Sequence, residues 1–154
     1  MSSKPVGMFC YKYTQRAFYF YLKEKNMLEN LKELIEINSY ENKEKIIEYL
    51  KNKFSLICEE IIIVKNKENN NKSILVGINT KLKDIEPIVL SGHIDTVAPD
   101  FTKYNTNPLE LIIIDNKAYG LGSIDMKSFT AVILDNINKL KSLWCPHCYC
   151  VDHR

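Results

Sequence analysis

The sequence predicts an α/β fold in which a mixed β-sheet packs between helical layers. Residues 27–54 carry apolar side chains at helical spacing. Residues 59–78 hold two β-branched runs separated by a polar turn, and residues 126–141 return to helical spacing. Helices, then strands, then a helix suggest a layered α/β sandwich. A length of 154 residues is enough for one ordinary domain with a real core.

Each element follows from local chemistry. Leu28, Leu31, Leu34 and Ile35 recur at spacings of three, four and seven and make one stripe of a first helix starting at Met27. "INSY" interrupts it. Ile46, Ile47, Leu50 and Phe54 form the buried face of a second helix, with Ser39 or Asn42 available as its N-cap. "EEIIIVKN" and "SILVGI", separated by the polar "KENNNK", read as two strands of a hairpin. "PIVLSGHID" starts as a third strand. Its apolar neighbours Val89 and Leu90 suit a strand covered on both faces. "LELIIIDNKAYG" reads as a strand, a turn at "DNK" and a short return strand. Phe129, Val132, Ile133, Ile137 and Leu140 then mark a last helix.

Composition removes several function classes. A net charge of +2 is too small to point to a nucleic-acid or membrane partner. No apolar run approaches the ~18 residues of a membrane span. Lys12 and Arg16 interrupt the aromatic amino-terminal stretch, so it lacks the apolar core of a secretory signal. Residues 1–26 are expected to be a non-core extension, with Met27 the natural start, and the location is expected to be cytoplasmic. The five cysteines, odd in number and unevenly spread, are read as reduced thiols rather than a disulfide framework.

Two stretches carry chemistry. In "SGHIDTV", His93 and Asp95 point to the same side of a strand. One reading makes His93 a metal ligand and Asp95 the carboxylate that fixes its tautomer; the other is a simple His–Asp hydrogen bond at a strand end. In "YGLGSIDMKS", Gly120 and Gly122 permit tight turns, and Asp125 stands just before a helix. Asp125 is there either a bridging metal ligand, favoured by the helix dipole, or only an N-cap.

Taken together, "GHIDTV" followed about thirty residues later by "GLGSIDMK" resembles the dinuclear zinc amidohydrolase and exopeptidase family. That family includes acetylornithine deacetylase, succinyl-diaminopimelate desuccinylase, aminoacylase and glutamate carboxypeptidase. The resemblance runs from about Met27 to Leu140 and is similar in detail to acetylornithine deacetylase around "AYGLGSIDMKSFTAVILDNI". It implies the amino-terminal part of a catalytic domain, a partial α/β/α sandwich spanning residues 27–141. It implies His93 as a ligand of one zinc, Asp95 as the catalytic residue orienting it, and Asp125 as the bridge between two zincs, with a cis peptide after Asp125. Cobalt or manganese can replace zinc in such nitrogen and oxygen sites. The implied substrate is a small N-acyl amino acid or peptide, with a homodimer as the family's assembly and arginine biosynthesis as the setting.

The sequence also departs from the family pattern. Ser128 stands where a Gly usually follows Met-Lys. The family's Glu-Glu pair, a general base and a further ligand, is expected beyond the bridging Asp and has no counterpart here. The resemblance therefore implies an amino-terminal fragment, inactive alone. A related dipeptidase or desuccinylase is the alternative within the family. Residues 142–154 form an atypical tail, with Cys145, His147, Cys148, Cys150 and His153 crowded together. The tail is expected to follow a break in the reading frame and to replace the family's next apolar strand. Alternatively, it forms a small zinc site on a non-enzymatic interaction module.

Overall fold

The computed structural model describes residues 18–19, 25–67, 71–81, 85–143 and 147–152. Cys10, Cys145, His153 and most of the amino-terminal extension lie outside the described residues. In chain order the elements are β1 (Phe18–Tyr19), α1 (Lys25–Glu36), α2 (Lys43–Ser55), β2 (Glu60–Lys65) and β3 (Lys72–Ile78). They continue with β4 (Ile88–His93), β5 (Ile112–Ile114), β6 (Lys117–Tyr119), α3 (Lys127–Ser142) and β7 (His147–Asp152).

The helices form where the apolar stripes place them. Asn42 caps α2, its side chain accepting a hydrogen bond from the Lys45 amide. Ser39, the other candidate cap, is instead fully buried beside Thr96, 3.3 Å between hydroxyl oxygens. Leu31, Leu34 and Ile35 of α1 meet Ile46, Leu50 and Phe54 of α2 and Ile133 and Ile137 of α3 in one core. Ile74, Val76 and Ile78, alternate residues of β3, supply the floor of that core, as strand periodicity requires.

The main sheet has the order β2-β3-β7-β4. Strands β2 and β3 form the expected antiparallel hairpin, β7 runs antiparallel to β3, and β4 lies parallel to β7. The sheet is therefore mixed. A smaller sheet joins β5 and β6 through a turn at Asp115 and Asn116, both at positive φ (49° and 59°). Positive φ at both central residues is the primed turn that matches strand twist in a two-residue hairpin. Strand β1 pairs with β6, so two residues of the amino-terminal extension join this small sheet.

Of the tail, residues 142–143 and 147–152 are described, and they join the fold. Ser142 ends α3, and residues 147–152 form β7, with a strand on either side. Cys, Tyr and Val are good strand formers, and the slot between β3 and β4 offers both ladders. Residues 147–152 thus hold a strand position in the main sheet, and one expectation, for β4, changes. Val89 is not covered on both faces: it is 60% exposed. The helices lie over the face carrying Ile74, Val76 and Leu90. The opposite face, with Ile62, Val64 and Val89, bears no helix among the described residues. Among the described residues, one helical layer of the sandwich is built.

Candidate metal centre

The site forms where β4 ends and the turn before α3 begins. His93 is the last residue of β4, and Asp95 and Thr96 follow in the irregular stretch after it. The facing wall is the turn 120–126. It is closed by hydrogen bonds from Leu121 N to Pro108 O (2.7 Å), Ser123 N to Gly120 O (3.1 Å) and Lys127 N to Gly122 O (2.9 Å). Gly122 sits at φ +85°, and a Cβ there would lie 2.9 Å from Lys127 Cδ, so glycine serves both the turn and the close approach.

These walls bring His93, Asp95 and Asp125 together. His93 Nδ1 lies 3.3 Å from the Asp95 carboxylate and 3.3 Å from the Asp95 backbone carbonyl. Its Nε2 lies 3.0 Å from Asp125 Oδ1. With Nδ1–H turned toward the two Asp95 oxygens, Nε2 offers a lone pair to a carboxylate. Two acceptors that close call for a proton or a cation between them. Asp125 does not cap α3. The N-cap is Met126, which makes no side-chain cap bond, while the Asp125 side chain is 61% exposed toward the cavity. The Asp125–Met126 peptide is cis.

The cavity in front of these residues has a volume of about 330 Å³, at the small end of the range for ligand pockets. His93, Asp95, Tyr104, Leu121, Ser123 and Asp125 are among its lining residues, and among the described residues no Lys or Arg lines it. A cavity whose fixed charges are carboxylates attracts cations. The donor set fits a metal. Two ligands of one tetrahedral zinc, each at ~2.0–2.1 Å, stand about 3.3 Å apart, close to the 3.0 Å between Nε2 and Oδ1. Among the described residues, however, no group of three or more His, Cys, Asp or Glu side chains converges to hold an ion.

The sequence motif includes Lys127 but assigns it no chemical step. Lys127 is 1% exposed, and its ammonium donates to the carbonyls of Leu34 and Ile37, each at 2.8 Å. Burial pulls its pKa from 10.5 down to about 7. The motif marks Lys127, but nothing in it points to carbonyls some ninety residues earlier in the chain. Ser128, which takes the place of the family's Gly, is buried in the first turn of α3.

Comparison with known proteins bears on the family and the fold. Acetylornithine deacetylase of Buchnera aphidicola subsp. Schizaphis graminum is 37% identical over 123 residues, covering 73% of this chain and 32% of that protein. The chain belongs to the amidohydrolase and exopeptidase family that includes acetylornithine deacetylase. The same enzyme from Buchnera aphidicola subsp. Acyrthosiphon pisum is 47% identical over 53 residues, covering 34% of this chain and 14% of that protein. No family model matches the chain. Among solved structures, human carnosine dipeptidase 1 superposes with a TM-score of 0.75 at 16% identity, over 85% of this chain and 32% of that one. At that identity the likeness speaks for the fold. The chain spans about a third or less of the length of the curated relatives it matches.

Proposed function

We propose that this chain supplies one wall of a zinc-dependent amidohydrolase site that cleaves the amide bond of an N-acyl amino acid. The observation that carries the reading is the convergence of His93 Nε2 and Asp125 Oδ1 at 3.0 Å, with His93 Nδ1 held on the Asp95 side. On this reading the substrate is N-acetylornithine, the step belongs to arginine synthesis and the compartment is the cytoplasm. The names of the similar curated proteins support that choice of substrate.

Each residue has a defined task. Asp95 keeps the proton on Nδ1 and so leaves the Nε2 lone pair free for a metal. Asp125 presents one oxygen beside His93, and its exposed carboxylate faces the cavity, as a bridging ligand must. The Gly-rich turn holds Asp125 at the cavity wall, and Leu121 and Tyr104 give the substrate apolar surface. Zinc, when bound, polarises a carbonyl and lowers the pKa of a bound water. The wall is incomplete as a catalyst. Zinc takes about four ligands, and His93 and Asp125 supply two. Among the described residues, no Glu able to take a proton from water lines the cavity. The 154-residue chain alone is therefore expected to bind zinc weakly and not to turn over.

A chimera tests this. Residues 27–140 replace the matching segment of the Schizaphis graminum Buchnera acetylornithine deacetylase, and hydrolysis is assayed on N-acetylornithine, an N-succinyl diamino acid and a dipeptide. Zinc-dependent cleavage of N-acetylornithine, lost in His93→Ala and Asp125→Ala, is expected. Activity that survives both substitutions overturns the assignment. Rapid hydrolysis by the 154-residue chain alone overturns the incomplete shell.

A further inference from the structure

We infer that Lys127 is a positioning residue: its ammonium clamps the carboxyl end of α1 and thereby fixes the turn that carries Asp125. The inference deepens the proposed function and rests on its assignment of Asp125. A lysine pointed into a core is unusual, because burial strips water from the charge. Here the acceptors are the carbonyls of Leu34 and Ile37, each at 2.8 Å. Leu34 is in the last turn of α1, where carbonyls lack intrahelical partners and the helix dipole is negative. The lysine thus fulfils a capping role from another part of the chain.

The other end of the same residue closes the site turn. Lys127 N donates to Gly122 O at 2.9 Å, and the lysine stem fills the space that a Cβ on Gly122 would take. One residue therefore ties α1 to the loop around Asp125. The loop after α1 also reaches the opposite wall, where Ser39 Oγ lies 3.3 Å from Thr96 Oγ1, just past His93 and Asp95. The carboxyl end of α1 acts as a strut touching both walls, and the 3.0 Å between His93 and Asp125 depends on it.

Lys127→Met and Lys127→Arg separate positioning from packing. Met keeps the apolar stem and removes the donors, whereas Arg keeps donors. The first readout is amide hydrogen exchange in the metal-free chain. In Lys127→Met, protection at Leu121, Ser123 and residue 127 should fall at least tenfold while the β3 amides hold theirs, and Arg should restore part of it. The second is zinc titration followed on the His93 ring resonances, with affinity expected to fall at least fivefold in Met. Unchanged turn protection in Met, or lost protection with unchanged zinc affinity, overturns the inference. If the wild-type chain binds no zinc, the metal assignment fails, and the exchange comparison alone decides whether Lys127 holds the turn. If Lys127→Met fails to fold, Lys127→Arg decides: retained turn protection supports the donor role, and lost turn protection in a folded Arg variant overturns it.

Discussion

Gly92→Ala probes the contact that backs the site. Gly92 precedes His93 in β4 and faces α3. An added Cβ would lie 2.8 Å from Phe129 Cδ1, 3.0 Å from Phe129 Cε1 and 3.0 Å from Met126 Cε. Carbon atoms pack best at about 3.5–4.0 Å, so each contact is well inside the repulsive wall. Met126 Cε ends a flexible side chain and can swing away. The Phe129 ring packs against the core and must move with α3 or push β4 outward. Overpacking of this kind costs about 1–3 kcal/mol, a fall in Tm of roughly 2–12 °C for a chain of this size. The assay is chemical denaturation of wild type, Gly92→Ala, Phe129→Ala and the double variant. Removing the ring should make the alanine at 92 nearly neutral, a coupling of about 1 kcal/mol or more between the two sites. An unchanged stability of Gly92→Ala, or the same penalty in the Phe129→Ala background, would show that the Phe129 ring does not crowd position 92.

Other outcomes follow from single contacts. Asn42→Ala removes the side-chain acceptor for the Lys45 amide and should cost about 1 kcal/mol in denaturation, with Asn42→Ser recovering most of it. Burial pushes the Cys58 thiol up to about 11 from 9.0, so alkylation of Cys58 in the folded chain should be slow at pH 8 and rise with a midpoint near pH 11. The same shift has a sign for stability. Between pH 9 and 11 the unfolded chain releases this proton before the folded one, so the Cys58 contribution falls with rising pH, and Cys58→Ala should flatten the slope in that window. Phe54→Ala empties a fully buried position between α2 and the sheet and should cost about 3–5 kcal/mol by denaturation, while a conservative Phe54→Leu costs far less.

Much of the fold was legible because it rests on local periodicity. The stripe of α1, the alternation of β3 and the β2–β3 hairpin each express one rule of side-chain direction. The pairing of His93 with Asp125 was legible only from two motifs taken together, since either stretch alone has an ordinary structural explanation. What stayed hidden was non-local. Strand β7 lacks an alternating pattern, and its place follows from the empty slot between β3 and β4. The exposure of Val89 depends on what covers the second face of the sheet, which two adjacent apolar residues cannot report. Asp125 stands one residue before the cap position, and only the path of the turn decides that its carboxylate meets His93 rather than a helix amide. The Lys127 contacts with Leu34 and Ile37 join distant segments through backbone carbonyls, which carry no residue signature.

On the proposed function, His93 and Asp125 hold a metal between them. Calorimetric zinc titration of the 154-residue chain tests it most directly, run on wild type, His93→Ala, Asp125→Ala and Cys148→Ser/Cys150→Ser. A weak site is expected, one that disappears in His93→Ala and Asp125→Ala and persists in the double cysteine variant. Zinc binding that survives both site substitutions and vanishes with the cysteines would contradict it and move the metal to the carboxyl-terminal strand.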